Sequence, residues 1–304
     1  MSQEEAKQKV VLVTGCSAGG IGHHLALEFA AHGCRVYATA RNRQRLELNS
    51  ANITPLELDV TSQESVQQAV DTILKDCGRI NVVVNNAGQL CIGPATEVSI
   101  AEAQSVFDTN VLGAMRVSQT AVPHMAPHST IVNVGSVSGY TASPWAGYYA
   151  ASKAALHKLS DAMRMELSPF DINVVVLAPG AIKSNLAKNT NIHLREGSVF
   201  SRARSDIERR ARHSQCEGAT PADRFAREVV PLLLRNRPPA YISRGHLAVR
   251  MFLAYYFPAW LGDYVVGRPF MRGLTGARPS SRLLWLVAAG VLLAFAMAAV
   301  KYSN

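Results

Sequence analysis

Apolar residues follow two alternating rhythms along the first 245 positions. Short runs rich in β-branched residues read as strands: Val10-Val11-Leu12-Val13, Arg35-Val36-Tyr37-Ala38-Thr39, Ile80-Asn81-Val82-Val83-Val84, Thr130-Ile131-Val132-Asn133-Val134 and Ile172-Asn173-Val174-Val175-Val176-Leu177. Ile53-Thr54-Pro55-Leu56-Glu57-Leu58 reads as a shorter, weaker strand because of its proline, and Ala240-Tyr241-Ile242-Ser243 as a seventh at the sheet edge. Between them lie helical patterns at 22–32, 62–77, 99–125, 146–167 and 221–234. Near-continuous apolar strands suit a sheet covered by helices on both faces. The pattern predicts an α/β fold with a doubly wound, mostly parallel sheet.

Two segments depart from that rhythm. Residues 185–220 are polar and rich in Arg, Asn and Ser, a length that suggests a lid over a ligand cleft or a solvated surface excursion. Residues 283–300 carry eighteen uncharged residues between Arg282 and Lys301, with Trp285 near one end. As a helix that run would span roughly 27 Å, close to the ~30 Å hydrocarbon thickness of a bilayer. The expectation is a membrane anchor that crosses a bilayer or inserts as a hairpin; a buried core helix is the competing reading. The aromatic-rich stretches 247–257 and 259–270 are edged with arginine, and either lie at lipid headgroups or pack on the globular part. The expected organisation is 1–245 as a dinucleotide-binding domain, 246–282 as a basic, membrane-proximal extension, and 283–300 as the anchor.

Composition sharpens this picture. With 304 residues, 48% hydrophobic and 17% charged, the chain is globular and not disordered. Five scattered cysteines show no metal-ligand spacing, so no metal is expected and a reducing compartment fits. The net charge of +9 gathers near the apolar tail, which favours a membrane lipid surface over nucleic acid as partner. Met1–Lys7 has no apolar run, so no secretory signal is expected, and the arginine excess before the tail places the catalytic domain on the cytosolic side.

The candidate chemistry lies in three places. Thr14-Gly15-Cys16-Ser17-Ala18-Gly19-Gly20-Ile21-Gly22 follows the first strand and opens a helix, as a loop does that lets a pyrophosphate approach backbone amides. The second strand ends in Ala38-Thr39-Ala40-Arg41, with no acid for ribose hydroxyls and an arginine suited to the 2′-phosphate of NADP, Arg43 being a second candidate. Tyr149 and Lys153 stand four residues apart, on one helix face, thirteen and seventeen residues after Ser136. A nearby ammonium lowers a phenol's pKa, and a serine hydroxyl can bond a carbonyl oxygen. A surface helix pair is the ordinary reading of Tyr-x-x-x-Lys alone.

Taken with Leu58-Asp59-Val60-Thr61, Asn85-Asn86-Ala87-Gly88, Asn110 and Pro179-Gly180, all in order over roughly 9–245, the sequence resembles the short-chain dehydrogenase/reductase family, whose fold is of the Rossmann type. The resemblance implies that Asn110, Ser136, Tyr149 and Lys153 are catalytic, with Asn110 holding a backbone bend and a water that relays protons to Lys153. It implies cofactor contacts from Gly15, Ser17, Gly19, Gly20, Ile21, Gly22, Arg41, Asp59, Val60, Asn86, Ala87, Gly88, Tyr149, Lys153, Pro179, Gly180, Ile182 and Ser184. Tyr148 lacks the spacing to Lys153. The glycine loop is one residue longer than the family's usual form, and Ser184 stands where threonine is common. Members of the family often form homodimers through the helices bearing the asparagine and tyrosine.

The longer loop, Arg41 and the apolar tail are similar to a fungal branch of the family. That branch uses NADPH to reduce 1-acyldihydroxyacetone phosphate to 1-acylglycerol 3-phosphate at the endoplasmic reticulum and lipid droplets. The expectation is therefore an NADPH-dependent reductase of a lipophilic ketone. Alternatives are a retinol- or hydroxysteroid-type dehydrogenase, a secondary-metabolism ketoreductase, or a membrane-tethered NADPH-binding scaffold without turnover. Basic side chains reaching the substrate end, with Lys183, Lys188, Arg202 and Arg204 as candidates, would favour a phosphorylated substrate.

Overall fold

Each apolar run carries side chains to both faces of one sheet, and this decides how the chain folds. In β1 (Val10–Val13), Val11 and Val13 face a core with Leu25, Phe29, Phe225 and Val229, while Val10 and Leu12 face another with Val66, Val70, Ile73 and Val117. Successive strand residues point to opposite sides, so a strand apolar throughout needs helices on both. The structure, a computed structural model, describes residues 8–186, 192–275 and 290.

The remaining strands of the main sheet are β2 (Arg35–Ala40), β3 (Ile53–Glu57), β4 (Val82–Asn85), β5 (Thr130–Val134), β6 (Asn173–Pro179) and β9 (Tyr241–Arg244). They pair in parallel in the order β3-β2-β1-β4-β5-β6-β9. All six expected runs form strands, and the seventh lies at the edge as expected. The order reverses direction between β1 and β4, and ligands of such sheets bind outside the strand C-termini at that switch point. Pro55 is tolerated because β3 is the opposite edge. Val36 N–H donates to Asn52 and Leu58 N–H to the Ala40 carbonyl, so even-numbered positions of this stretch pair inward and Pro55 faces outward.

The helices α1 (Ile21–Ala31) and α7 (Ala222–Leu233) cover one face; α2 (Gln63–Cys77) and α4 (Gly113–Ala121) cover the other. Ser62 caps α2 through the Ser65 N–H, and Gly78 ends it in the left-handed conformation. The 99–125 pattern is not one helix. It divides into α3 (Ile100–Phe107), a π-helical turn (Asp108–Leu112) and α4. A π turn inserts one residue without changing apolar content, so periodicity cannot reveal it. α5 (Gly147–Leu167) begins one residue later than expected and packs on β6.

The 185–220 stretch is more than a solvated excursion. Its base is closed by pairing of β7 (Ile182–Lys183) with β8 (Thr220–Pro221), and it carries α6 (Arg204–Ala211). Ala203, Ile207 and Ala211 share a buried cluster with Trp145 and Phe270. Farther along the chain come α8 (Ala248–Ala254), α9 (Ala259–Gly262) and α10 (Arg272–Thr275). Leu261, Val266 and Phe270 are buried, so of the two readings of 247–270 this part packs on the globular core. Trp145 donates its indole N–H to the Phe270 carbonyl at 2.7 Å, joining the extension to the start of α5. No helix among the described residues is long and apolar enough to cross a membrane. The apolar run 283–300, expected to be the anchor, lies outside the described residues apart from Gly290.

Candidate active site

The C-terminal ends of the strands open into a cavity of about 600 Å³. Its floor forms where β1 and β4 separate. Thr14 accepts the backbone N–H groups of Asn86 and Ala87 on its hydroxyl, each at 3.0 Å. Asn86 returns its side-chain amide to the carbonyls of Thr14 and Gly15 at 2.8 and 2.9 Å. These bonds draw the glycine loop against the 85–88 turn, and only glycine fits there. Gly15 has φ +71°, and a Cβ on it would lie 2.8 Å from the Ala87 Cα; a Cβ on Gly22 would overlap the Asn86 amide.

Gly15, Ser17, Gly20 and Ile21 therefore face the cavity, at the start of α1, where free N–H groups favour a phosphate. Gly19 and Gly22 do not. Gly19 packs toward Asn185, whose amide donates to the Ala18 carbonyl at 2.6 Å, and Gly22 serves the close packing just described.

At the β2 end, Arg41 lines the cavity together with Leu58, Asp59, Val60 and Thr61. Asp59 is held by the Thr61 N–H and hydroxyl at 2.9 and 2.8 Å. Arg41, Asn42, Arg45 and Ser17 surround a smaller recess of about 320 Å³, and no carboxylate among the described residues lines it. Arg45, not Arg43, is the second arginine here: the 43–45 turn bonds the glycine loop through its Arg45 carbonyl, accepting from the Ala18 N–H at 3.0 Å. The cradle at Gly15 and the paired arginines fit a dinucleotide carrying a 2′-phosphate.

Asn86, Ala87 and Gly88 continue along the floor to the other end, where Ser136, Tyr149, Lys153, Pro179, Gly180, Ile182 and Ser184 converge. Tyr148 points elsewhere, packing with Cys91, Val98 and Val106. Ser136 accepts the Ser138 N–H on its hydroxyl oxygen at 3.1 Å, which leaves its proton to donate. Behind it, His157 accepts the Ser136 backbone N–H at 3.4 Å. Burial, then the Lys153 charge, pushes His157 down to about 4, so the ring is neutral and able to accept.

Tyr149 departs from the expected electrostatics. Burial raises its pKa first; a hydrogen bond from Ser136 and the Arg210 charge lower it. Lys153 instead donates to the Val134 carbonyl at 2.8 Å, with its ammonium 5.9 Å from the Tyr149 ring centroid, and burial brings it down to about 8. Arg210 adds a second cation near the phenol. Asn110 sits in the π turn, behind the cavity wall. Its amide donates to the Gln89 carbonyl and to Ser152, both at 2.9 Å, and accepts the Gln89 N–H at 2.7 Å. Its side chain positions the Gln89 backbone, which lines the cavity.

The substrate end is formed by residues from distant segments: Ser143, Arg210, His213, Leu247, Met251 and Phe270. Lys183, Arg202 and Arg204 are exposed and outside this wall, and Lys188 lies outside the described residues. A signal for Arg210 did exist. It shares a helical face with Ala203 and Ile207, so it occupies a core-facing position of an otherwise polar helix. The insertion is fastened by Glu97, which accepts the Ser198 hydroxyl at 2.7 Å and the Arg195 N–H at 3.2 Å.

Comparison with known proteins agrees with this geometry. Residues 9–195 match the family model described as short chain dehydrogenase. A short-chain dehydrogenase/reductase of Pestalotiopsis microspora is 38% identical over 78% of this chain and 85% of its own length. The NADPH-dependent 1-acyldihydroxyacetone phosphate reductase of Schizosaccharomyces pombe is 36% identical over 64% of this chain and 68% of its own. Among solved structures, a short-chain dehydrogenase from Streptomyces avermitilis superposes with a TM-score of 0.71 at 26% identity, covering 81% of this chain and 92% of that one.

Proposed function

The chain belongs to the short-chain dehydrogenase family, and from that premise we propose that it reduces a lipid-like ketone to an alcohol with NADPH, 1-acyldihydroxyacetone phosphate being the leading substrate. The observation that carries this is the convergence of Ser136, Tyr149 and Lys153 at one end of a single cavity whose other end holds Arg41 and Arg45. Bound NADPH supplies the hydride. Tyr149 gives its phenolic proton to the carbonyl oxygen, and burial keeps that proton in place at neutral pH. Ser136 donates to the same oxygen and fixes its position. Lys153, anchored on Val134, stands where it can hold ribose hydroxyls and return a proton toward Tyr149.

The identity to the fission-yeast reductase supports the choice of substrate. Apolar lining from Leu247, Met251, Val266 and Phe270 supports a lipophilic ketone and equally suits the steroid, retinoid or secondary-metabolite alternatives. The test is NADPH oxidation against acyldihydroxyacetone phosphate, steroid and retinoid ketones and aldehydes. Fastest turnover of the acylated phosphate is expected; turnover of the neutral carbonyls alone overturns the substrate.

Membrane attachment is part of the proposal. The uncharged run 283–300 supports it, as do exposed Val249, Tyr255, Tyr256 and Trp260 beside Arg250, a composition suited to a headgroup layer. With the domain on the cytosolic side, the endoplasmic reticulum or a lipid droplet is the proposed location. Deleting residues 280–304 is expected to move the chain from the membrane pellet to the soluble fraction. A full-length chain that stays soluble without detergent would remove this reading.

A further inference from the structure

Arg210 is the least expected group in the cavity wall. It is 8% exposed, at the end of α6 that meets the catalytic tyrosine. Its Nε donates to the Ser143 hydroxyl at 2.8 Å, and its guanidinium lies over the Phe270 ring, 5.8 Å from the centroid. No carboxylate among the described residues pairs with it. The two acids of its own helix are engaged elsewhere: Asp206 holds Arg209 and the Gly273 N–H, and Glu208 faces Arg212 at 3.8 Å. The neighbouring His213 is pushed down to about 4 by burial, Arg210 and His246, so it adds no second charge at neutral pH.

A buried cation without a counter-charge is costly, and that cost is relieved when an anion enters. Ser143 occupies only the Nε position, so the two terminal nitrogens have no protein acceptor among the described residues, while the residue lines the cavity. A guanidinium fork matches the paired oxygens of a phosphate or carboxylate. Phe270 below and Ser143 beside it fix the plane of the fork, which reduces the ordering cost of binding. Leu247, Met251 and Val266 supply apolar surface next to it for a chain.

We infer that Arg210 anchors an oxyanion carried by the substrate, a phosphate monoester or a carboxylate, beside the carbonyl that Tyr149 protonates. The inference rests on the reductase reading for the identity of that carbonyl, and it makes the site selective for anionic ketones. Arg210 is a specificity residue here, and its field on Tyr149 is a second effect that product binding does not sample.

The test uses the full-length chain loaded with NADP⁺ and reads equilibrium binding, with no turnover required. The probes are 1-hexanoylglycerol, its 3-phosphate and its succinyl half-ester, short enough to remain monomeric. A charge-assisted fork corresponds to roughly ten- to hundredfold in affinity, so the charged probes should bind tighter than the neutral one by about that ratio. Preference for the phosphate alone identifies a phosphate site; preference for both charged probes identifies a general oxyanion site. In Arg210→Met the ratio should fall to near one, and Arg210→Lys should keep part of it. Equal binding of all three probes by the wild-type chain overturns the inference without needing any variant to fold, and so does a preference that survives in Arg210→Met. If NADPH oxidation proceeds on ketones while this preference is absent, the anchor fails and the reductase reading stands. If the preference depends on Arg210 while no ketone is reduced, the anchor stands and the reductase reading fails.

Discussion

Replacing Tyr149 by Phe should abolish ketone-dependent NADPH oxidation while leaving NADPH binding within about threefold of wild type. General acid catalysis by a positioned side chain is worth about 10²–10⁴-fold, and the substitution removes only the phenolic oxygen. The ring remains to fill its buried site, so folding should be little affected. Ser136 loses a hydrogen-bond partner, but its oxygen still accepts the Ser138 N–H. Tyr148→Phe is the control, since that side chain packs on Cys91, Val98 and Val106 outside the cavity. Measured kcat and cofactor affinity decide the matter; an inactive Tyr148→Phe beside an active Tyr149→Phe would reverse the assignment. Because burial raises the phenol's pKa and brings Lys153 down to about 8, the reduction rate should be flat through neutral pH and fall above about pH 8, as Lys153 and then the phenol lose their protons.

The second large effect concerns cofactor choice. Arg41→Ala should raise the KM for NADPH by one to two orders of magnitude and leave that for NADH nearly unchanged. Each charge-assisted bond to a 2′-phosphate is worth about 1.5–3 kcal/mol, which is roughly 10–100-fold in affinity. Arg45→Ala should produce a similar, smaller shift, because Arg45 lines the same recess. The double variant should lose most of the discrimination between the two cofactors. An equal loss for NADPH and NADH would mean that Arg41 supports the glycine loop and does not read the phosphate.

What the sequence made legible was the part encoded locally. Strands such as Val82–Asn85 and Thr130–Val134 are dominated by β-branched apolar residues, so their burial between helices follows from composition. The Tyr149–Lys153 pair sits on one helix, and its spacing alone puts both groups in one cleft. Arg41 was readable because it directly ends a strand. Arg45 was not, because its place depends on the turn at 43–45 bonding the glycine loop. Gly19 and Gly22 belong to the same motif as Gly15, and motif membership does not tell which glycine faces a ligand and which faces Asn185 or Asn86. Asn110 required a π turn that no apolar period records. The substrate wall was hidden for a related reason. Ser143, Arg210 and Phe270 meet only through tertiary packing, although they are 67 and 60 residues apart in sequence.

Pro55 has a consequence for how the molecule behaves in a crowd. A bare strand edge offers a row of donors and acceptors on which another chain can template itself. On β3 the outward positions are Ile53, Pro55 and Glu57, so the central donor of that row is absent and its neighbour toward the strand end carries charge. A second strand laid along this edge would find an acceptor without a donor at its middle and a proline ring standing in the way. At the far side of the sheet, β9 offers only four residues. One proline, which weakened β3 as a strand when read from sequence, thereby shields this edge of the sheet from edge-to-edge aggregation.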